Sequence, residues 1–296
     1  MGVLVTGHVG FLGQHITRSL SSDGVAWRGL DRQPRDCEHH VLADVRDICR
    51  IEIDPAEVSE IIHLASPVGV PTTSYRDDSV FTEIVSATTA LASFASRANA
   101  RVLFVSSSEV YGETPHVIDG RTEARPLSGY ARGKLEGEKI LFGSLPEVFV
   151  IRPSNVYGPG QRSEFVVPHI IDCILADKPV PIVNGGRTVR QFTYVTDFVE
   201  AVMRVRAGWT WLTERVLNVA GPEAVQIRDL ATAVGDILCR PVFFANVKPE
   251  WLGRNPATEV SFRRVNGASI DGWRPRIAVK EGLALTVAAR VAHREQ

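Results

Sequence analysis

A chain of 296 residues with 44% hydrophobic and 23% charged side chains has enough apolar material for a sizeable core and carries no mark of disorder. Its net charge of −1 gives no electrostatic reason to expect nucleic acid or an anionic membrane as partner. Cys37, Cys49, Cys173 and Cys239 are scattered without ligand spacing, which argues against a metal site or a disulfide framework and for thiols in a reducing, cytoplasmic setting. No apolar run has the length of a membrane span, and a first strand starting at Gly2-Val3 leaves no room for a signal peptide.

Gly2–Thr6 is a short apolar run of the kind that forms a buried parallel strand. It enters Gly7-His8-Val9-Gly10-Phe11-Leu12-Gly13, and a helical segment, Phe11–Ser22, follows. Glycines at this spacing between strand and helix form a dinucleotide site. Gly7 allows the tight turn, Gly10 lets a pyrophosphate reach the helix N-terminus, and Gly13 lets helix pack on strand; Phe11 and Leu12 belong to the same cofactor set.

Val25–Leu30 reads as a second strand with Asp31 at its end, placed for the adenosine ribose hydroxyls. A carboxylate there repels a 2′-phosphate and favours NAD; the adjacent Arg32 is the argument for NADP. Val41–Val45 resembles a third strand, whose Asp44 either meets the adenine, with Val45 beside it, or is a solvated turn residue. Glu60–Ser66 is a fourth strand; Leu64 and Ala65 pass close to the cofactor, and His63 inside it reads as a core histidine. A long helix over Ser74–Asn99 leads to a fifth strand, Arg101–Ser106. Alternating strands and helices predict a Rossmann-type, doubly wound parallel sheet with its site at the strand ends.

That fifth strand runs into Ser106-Ser107-Ser108-Glu109-Val110-Tyr111-Gly112, and Tyr130-Ala-Arg-Gly-Lys134 follows. A tyrosine and a lysine four apart share a helix face. A cation one turn away favours phenolate, so the tyrosine can take a proton from an alcohol while a strand-end serine orients it. This equipment moves a hydride between a carbinol and a nicotinamide.

With these motifs in this order, the chain resembles the extended short-chain dehydrogenase/reductases, and more narrowly the NAD-dependent epimerase/dehydratase family that modifies nucleotide sugars. The resemblance implies Ser107 as catalytic hydroxyl, Tyr130 as base, and Lys134 as its partner, which also holds the nicotinamide ribose. Ser108 would lie against the substrate, or simply satisfy local backbone groups. Glu109 has two readings: a carboxylate that removes a C5 proton or assists loss of a C6 substituent, or a structural cap on backbone amides. Ser108-Glu109 departs from the Asp-Glu pair of dTDP-glucose dehydratases, while His63–Pro67 and Arg101–Gly112 look most like the UDP-glucuronate decarboxylases.

A sixth strand over Val148–Arg152 ends in Pro153-Ser154-Asn155-Val156-Tyr157-Gly158-Pro159-Gly160, a cluster that marks a domain boundary. The expected organisation is an NAD-binding domain over 1–155 and a smaller α/β substrate domain over 156–296, with segments near 189–220 packing back on the first. By the resemblance, Asn155 and Arg190 contact the diphosphate of a nucleoside-diphosphate sugar, with Arg254 as a second arginine; Gln191 stands where the family has an acid. A guanidinium fork suits a phosphate. Asp197 is expected to cap a helix over Phe198–Ala207; further helices are expected over Phe165–Asp177, Ile227–Cys239 and Ala278–His293. The resemblance also implies a homodimer through the helices Ser74–Asn99 and Leu127–Ser144. The competing activities are an NAD(P)H-consuming keto-sugar reductase and, more remotely, a non-catalytic dinucleotide sensor.

Overall fold

The computed structural model describes residues 2–68, 78–114, 116–119, 121–248 and 262–294. Arg254 and the first residues of the helix expected from Ser74 lie outside them. The strands in chain order are β1 (Gly2–Thr6), β2 (Trp27–Asp31), β3 (His40–Leu42), β4 (Val58–His63), β5 (Arg101–Val105), β6 (Val148–Pro153), β7 (Asn155–Tyr157), β8 (Val180–Ile182), β9 (Val189–Tyr194), β10 (Val216–Val219), β11 (Ala224–Gln226), β12 (Phe244–Asn246) and β13 (Phe262–Arg263). The helices are α1 (Phe11–Ser22), α2 (Asp78–Ala98), α3 (Gly129–Ser144), α4 (Val166–Leu175), α5 (Val195–Ala207), α6 (Ile227–Leu238) and α7 (Val279–Arg294).

Seven strands form one parallel sheet in the order β10-β6-β5-β4-β1-β2-β3. Such strands must be apolar on both sides, because crossover helices cover both faces. In β5, Leu103 and Val105 point into the core under α1 and α5, while Val102 and Phe104 point into the core under α2 and α3. The two-residue period of the pleat thus feeds two cores from one strand. Strand order reverses between β1 and β4, which opens a crevice at their carboxyl ends. Glu60 of β4 is buried but paired: Arg101 donates to it at 2.8 Å and Arg206 of α5 at 2.5 Å.

A smaller α/β assembly follows in the chain. β9 lies between β11, antiparallel, and β13, parallel, and β7 also pairs with it. β8 and β12 form a separate pair. Phe192, Ile170, Leu230 and Leu283 bring β9, α4, α6 and α7 into a third core.

Three local expectations change. Asp44 does not end a strand: β3 stops at Leu42, and the Asp44 carboxylate caps a short 3-10 turn, Val45–Asp47, at the Arg46 amide. A side chain with a backbone amide within reach two residues on favours a turn over a ladder. Asp197 does not cap its own helix, because α5 begins two residues earlier; its carboxylate accepts from the amides of Arg276 (2.9 Å) and Ile277 (2.8 Å), fastening the segment before α7. The Pro/Gly cluster after β6 also contains a strand, β7, whose partner β9 is more than thirty residues away.

Leu103→Ala removes a fully buried side chain from the sheet's centre. It should lower the free energy of unfolding by about 2–5 kcal/mol in urea titration, whereas Val117→Ala at an exposed position should stay within about 0.5 kcal/mol.

Candidate active site

The crevice at the strand ends is a cavity of about 890 Å³. It is lined by Gly7, Gly10, Phe11, Leu12, Gly13, Asp31, Arg32, Asp44, Val45, Leu64 and Ala65 along one part, and by Ser107, Ser108, Glu109, Tyr130, Lys134, Asn155 and Arg190 along the other. Residues from eight segments of the chain thus share one space.

The nucleotide part follows from backbone geometry. Gly7 has φ +73°, and a Cβ there would lie 2.8 Å from the Ala65 amide nitrogen, so the loop after β1 and the end of β4 touch backbone to backbone. A Cβ on Gly13 would collide with the Gly7 carbonyl and with His8, so α1 starts hard against the loop. Gly10 is the N-cap of α1 and offers no side-chain cap, which leaves the first-turn amides facing the cavity for an anion. Asp31 closes the loop: it accepts from the Val9 amide at 3.0 Å and from the Gln33 amide at 3.0 Å. These residues fit a dinucleotide, whose pyrophosphate would lie at α1 and whose ribose would lie at Asp31. Arg32 is engaged by Glu83 at 2.7 Å, which opposes a role in gripping a 2′-phosphate. Asp44 is held by Arg46, whose hydrogen bonds keep its carboxyl below the usual range.

The loop also contains a feature with no sequence signal. His8 is buried, with Nε2 2.7 Å from His40 Nδ1, and only a glycine at position 29 leaves room for its ring. Burial, and then His40, push His8 down to about 4, against the pull of Asp31.

The part that holds Ser107, Tyr130 and Lys134 is built from two caps. Ser107 caps the 3-10 turn Ser108–Tyr111, its hydroxyl accepting from the Glu109 amide at 3.1 Å; Gly112, φ +69°, ends the turn. Ser128 caps α3, accepting from the Ala131 amide at 3.1 Å, which sets Tyr130 in the first turn. Lys134 is buried one turn on, donates to the Val105 carbonyl at 2.9 Å, and lies 5.8 Å from the Tyr130 ring centroid. Ser107, Tyr130 and Lys134 therefore stand together, with the Glu109 charge felt at Tyr130.

The chain belongs to the NAD-dependent epimerase/dehydratase family. The model of that family matches residues 3–220. The chain is 30% identical over 312 residues to UDP-glucose 4-epimerase of Mycolicibacterium smegmatis, covering 97% of both. It is 27% identical over 309 residues to UDP-glucuronic acid decarboxylase 4 of Arabidopsis thaliana, covering 96% of this chain and 67% of that protein. In structure it is similar to MoeE5 in complex with UDP-glucose and NAD, with a TM-score of 0.85, 26% identity and 99% of both chains covered. NAD is the cofactor of the family.

Against the family's chemistry, one electrostatic expectation is corrected. In the protein alone the Tyr130 phenol is raised, not lowered: burial dominates, Glu109 adds to it, and only a hydrogen bond with Ser107 opposes. Burial weakens the hold of Lys134 on its proton as well, bringing it down to about 7, with Glu138 pulling upward. A cation four residues away is not enough when both groups are desolvated. Asn155 sits in β7 opposite Phe192, and Arg190 is ion-paired to Glu113 at 3.0 Å inside the cavity. Glu113 carried no sequence signal, because its meaning depends on a partner 77 residues away.

His63 is the core histidine its apolar strand implied. It is buried, 2.7 Å from Thr6 Oγ1, and stacked on Phe104. Burial, then the charge of Lys134, pushes it down to about 3 from 6.5. Between those values the unfolded chain binds a proton that the folded chain refuses, so stability is complete above pH 6.5 and is lost as pH falls toward 3. Urea unfolding between pH 4 and 6.5 should slope by up to about 1.4 kcal/mol per pH unit from this group, and His63→Gln should remove that part of the slope.

Proposed function

We propose that the protein converts a nucleoside-diphosphate sugar by transient oxidation at C4, keeping its NAD through the cycle, with an epimerised, dehydrated or decarboxylated sugar as product. The observation that carries this reading is the meeting of Ser107, Tyr130 and Lys134 in the same cavity as the glycine loop and Asp31. Gly7, Gly10 and Gly13 with the first turn of α1 would hold the pyrophosphate, and Asp31 the adenosine ribose. NAD supplies a two-electron acceptor that becomes a donor later in the same cycle.

Tyr130 takes the proton of the C4 hydroxyl while Ser107 holds that oxygen. Lys134 titrates near neutrality, so the protein can present its ammonium form beside the phenol and bring the raised phenol back toward the working range. Arg190 and Asn155 meet the diphosphate, with Arg254 as a further ligand by the family pattern; Arg190 is held in place by Glu113. Glu109, close enough to act on Tyr130 through its charge, is placed for work at C5 or C6 once C4 is a ketone. The pairing of Arg32 with Glu83 favours NAD over NADP, and the NAD(P)H-consuming reductase is told apart by the incubation below.

The site residues, the substrate domain over 156–296, the cytoplasmic location and the homodimer are parts of this proposal. Cysteines that are all free support a reducing compartment, and the exposed Phe142 on α3 supports association through α2 and α3.

Incubation with UDP-, dTDP- and GDP-sugars, uronic acids included, without added reductant should give a product with the mass of a lost CO₂ or water, or an isomer of unchanged mass. Turnover of a keto-sugar only when NAD(P)H is supplied would overturn the reading in favour of a reductase. Tyr130→Phe should reduce turnover roughly 10²–10⁴-fold and leave NAD binding, read by calorimetry, within a few-fold.

A further inference from the structure

Beneath the reacting groups runs a chain of buried polar contacts that the mechanism above does not use. Ser106, the neighbour of Ser107, donates to Glu138 Oε1 at 2.5 Å. Glu138 lies one turn past Lys134 on α3 and receives both Nε (3.0 Å) and Nη2 (2.5 Å) of Arg152 from β6. Arg152 Nη1 donates to the Tyr111 hydroxyl at 2.8 Å, and that hydroxyl donates to Asn218 Oδ1 of β10 at 2.9 Å. Ser106, Glu138, Tyr111 and Asn218 are all buried.

A buried ion pair of this kind is a weak source of stability, since desolvation offsets most of the attraction. Its placement is more telling than its energy. The end of β5 leads into Ser107, α3 carries Tyr130 and Lys134, the 3-10 turn carries Glu109, and β6 leads into Asn155. Glu138 and Arg152 touch every one of these elements. We propose that Glu138, gripped by Arg152, is a positioning residue that ties the strand end of Ser107 to the helix of Tyr130 and Lys134 and supplies the counter-charge for Lys134. The inference rests on the reading of those three residues as the reacting set.

The electrostatics agree. Burial works against the charge of Arg152, but the hydrogen bonds and charge of Glu138, together with Tyr111, more than offset it and raise its pKa, so the guanidinium stays ionised. The titratable and charged groups around Lys134 are Tyr130 and Glu138 on its own helix, His63 from β4, held neutral, Glu109 beyond Tyr130, and Arg152 from β6, which is engaged by Glu138. Glu138 is the group among them that favours the ammonium form.

The test is a ¹³C-lysine NMR titration of the NAD-saturated full chain, with the Lys134 signal assigned by Lys134→Arg. In Glu138→Gln the Lys134 midpoint should fall by about one unit, and turnover of UDP-glucose or UDP-glucuronic acid should lose its alkaline limb at correspondingly lower pH. An unmoved midpoint in a folded Glu138→Gln variant overturns the proposal. Ser106→Ala leaves the ion pair intact and removes only the tie to β5. Its kcat should fall about tenfold with KM held, and an unchanged kcat overturns the proposal even where Glu138→Gln does not fold. Failure of the underlying site reading is read separately, as near-normal turnover in Tyr130→Phe.

Discussion

The fold rests on one constraint: a parallel sheet buried on both faces. Parallel neighbours cannot be joined by a tight turn, so each strand must be followed by a crossover; here α1, α2 and α3 return the chain after β1, β4 and β5, while β2 reaches β3 without a helix. All carboxyl ends of the strands and the amino ends of the next helices then collect on one side. Where strand order reverses between β1 and β4, the crossovers part and leave the cavity. The glycine loop, Asp31, Ala65, Ser107 and Asn155 are brought to its wall by topology.

What the sequence disclosed follows the range of the forces involved. β1 and α1 were legible to the residue, because an apolar run and a helix period are local signals. The turn of the glycine loop was legible for the same reason: close backbone approach demands glycine, and the approach of Gly13 to Gly7 spans six residues. The small assembly around β9 was not, since the pairings of β7, β11 and β13 with β9 are set by contacts far apart in the chain. Likewise Asp44 and Asp197 were visible as acids, but their partners, a turn amide and the amides of Arg276 and Ile277, were not. Tyr130 and Lys134 were singled out by their spacing together with the glycine loop before them; the direction of their titration depends on burial, which spacing does not encode.

The same limit applies to the buried charges. Glu60 between Arg101 and Arg206, and Glu138 between Ser106 and Arg152, look in sequence like ordinary charges on a strand and a helix. Folding turns each into a fixed charge in a medium of low dielectric, where it acts on its neighbours far more strongly than a solvated carboxylate does. The first binds α5 to the sheet away from the cavity; the second lies beneath Ser107 and Lys134.

Ser154 is the single residue between β6 and β7, the point at which the chain leaves the large sheet for the small one. Its hydroxyl is buried 2.7 Å from that of Thr193 in β9, and Thr193 also accepts from the Gly221 amide just beyond β10. The crossing is therefore riveted, not jointed. Two plates fixed at such a rivet cannot scissor about it without stranding three polar groups away from water. Bending the chain at this crossing accordingly costs buried hydrogen bonds, so the wall that β6 and β7 lend to the cavity is held in one shape.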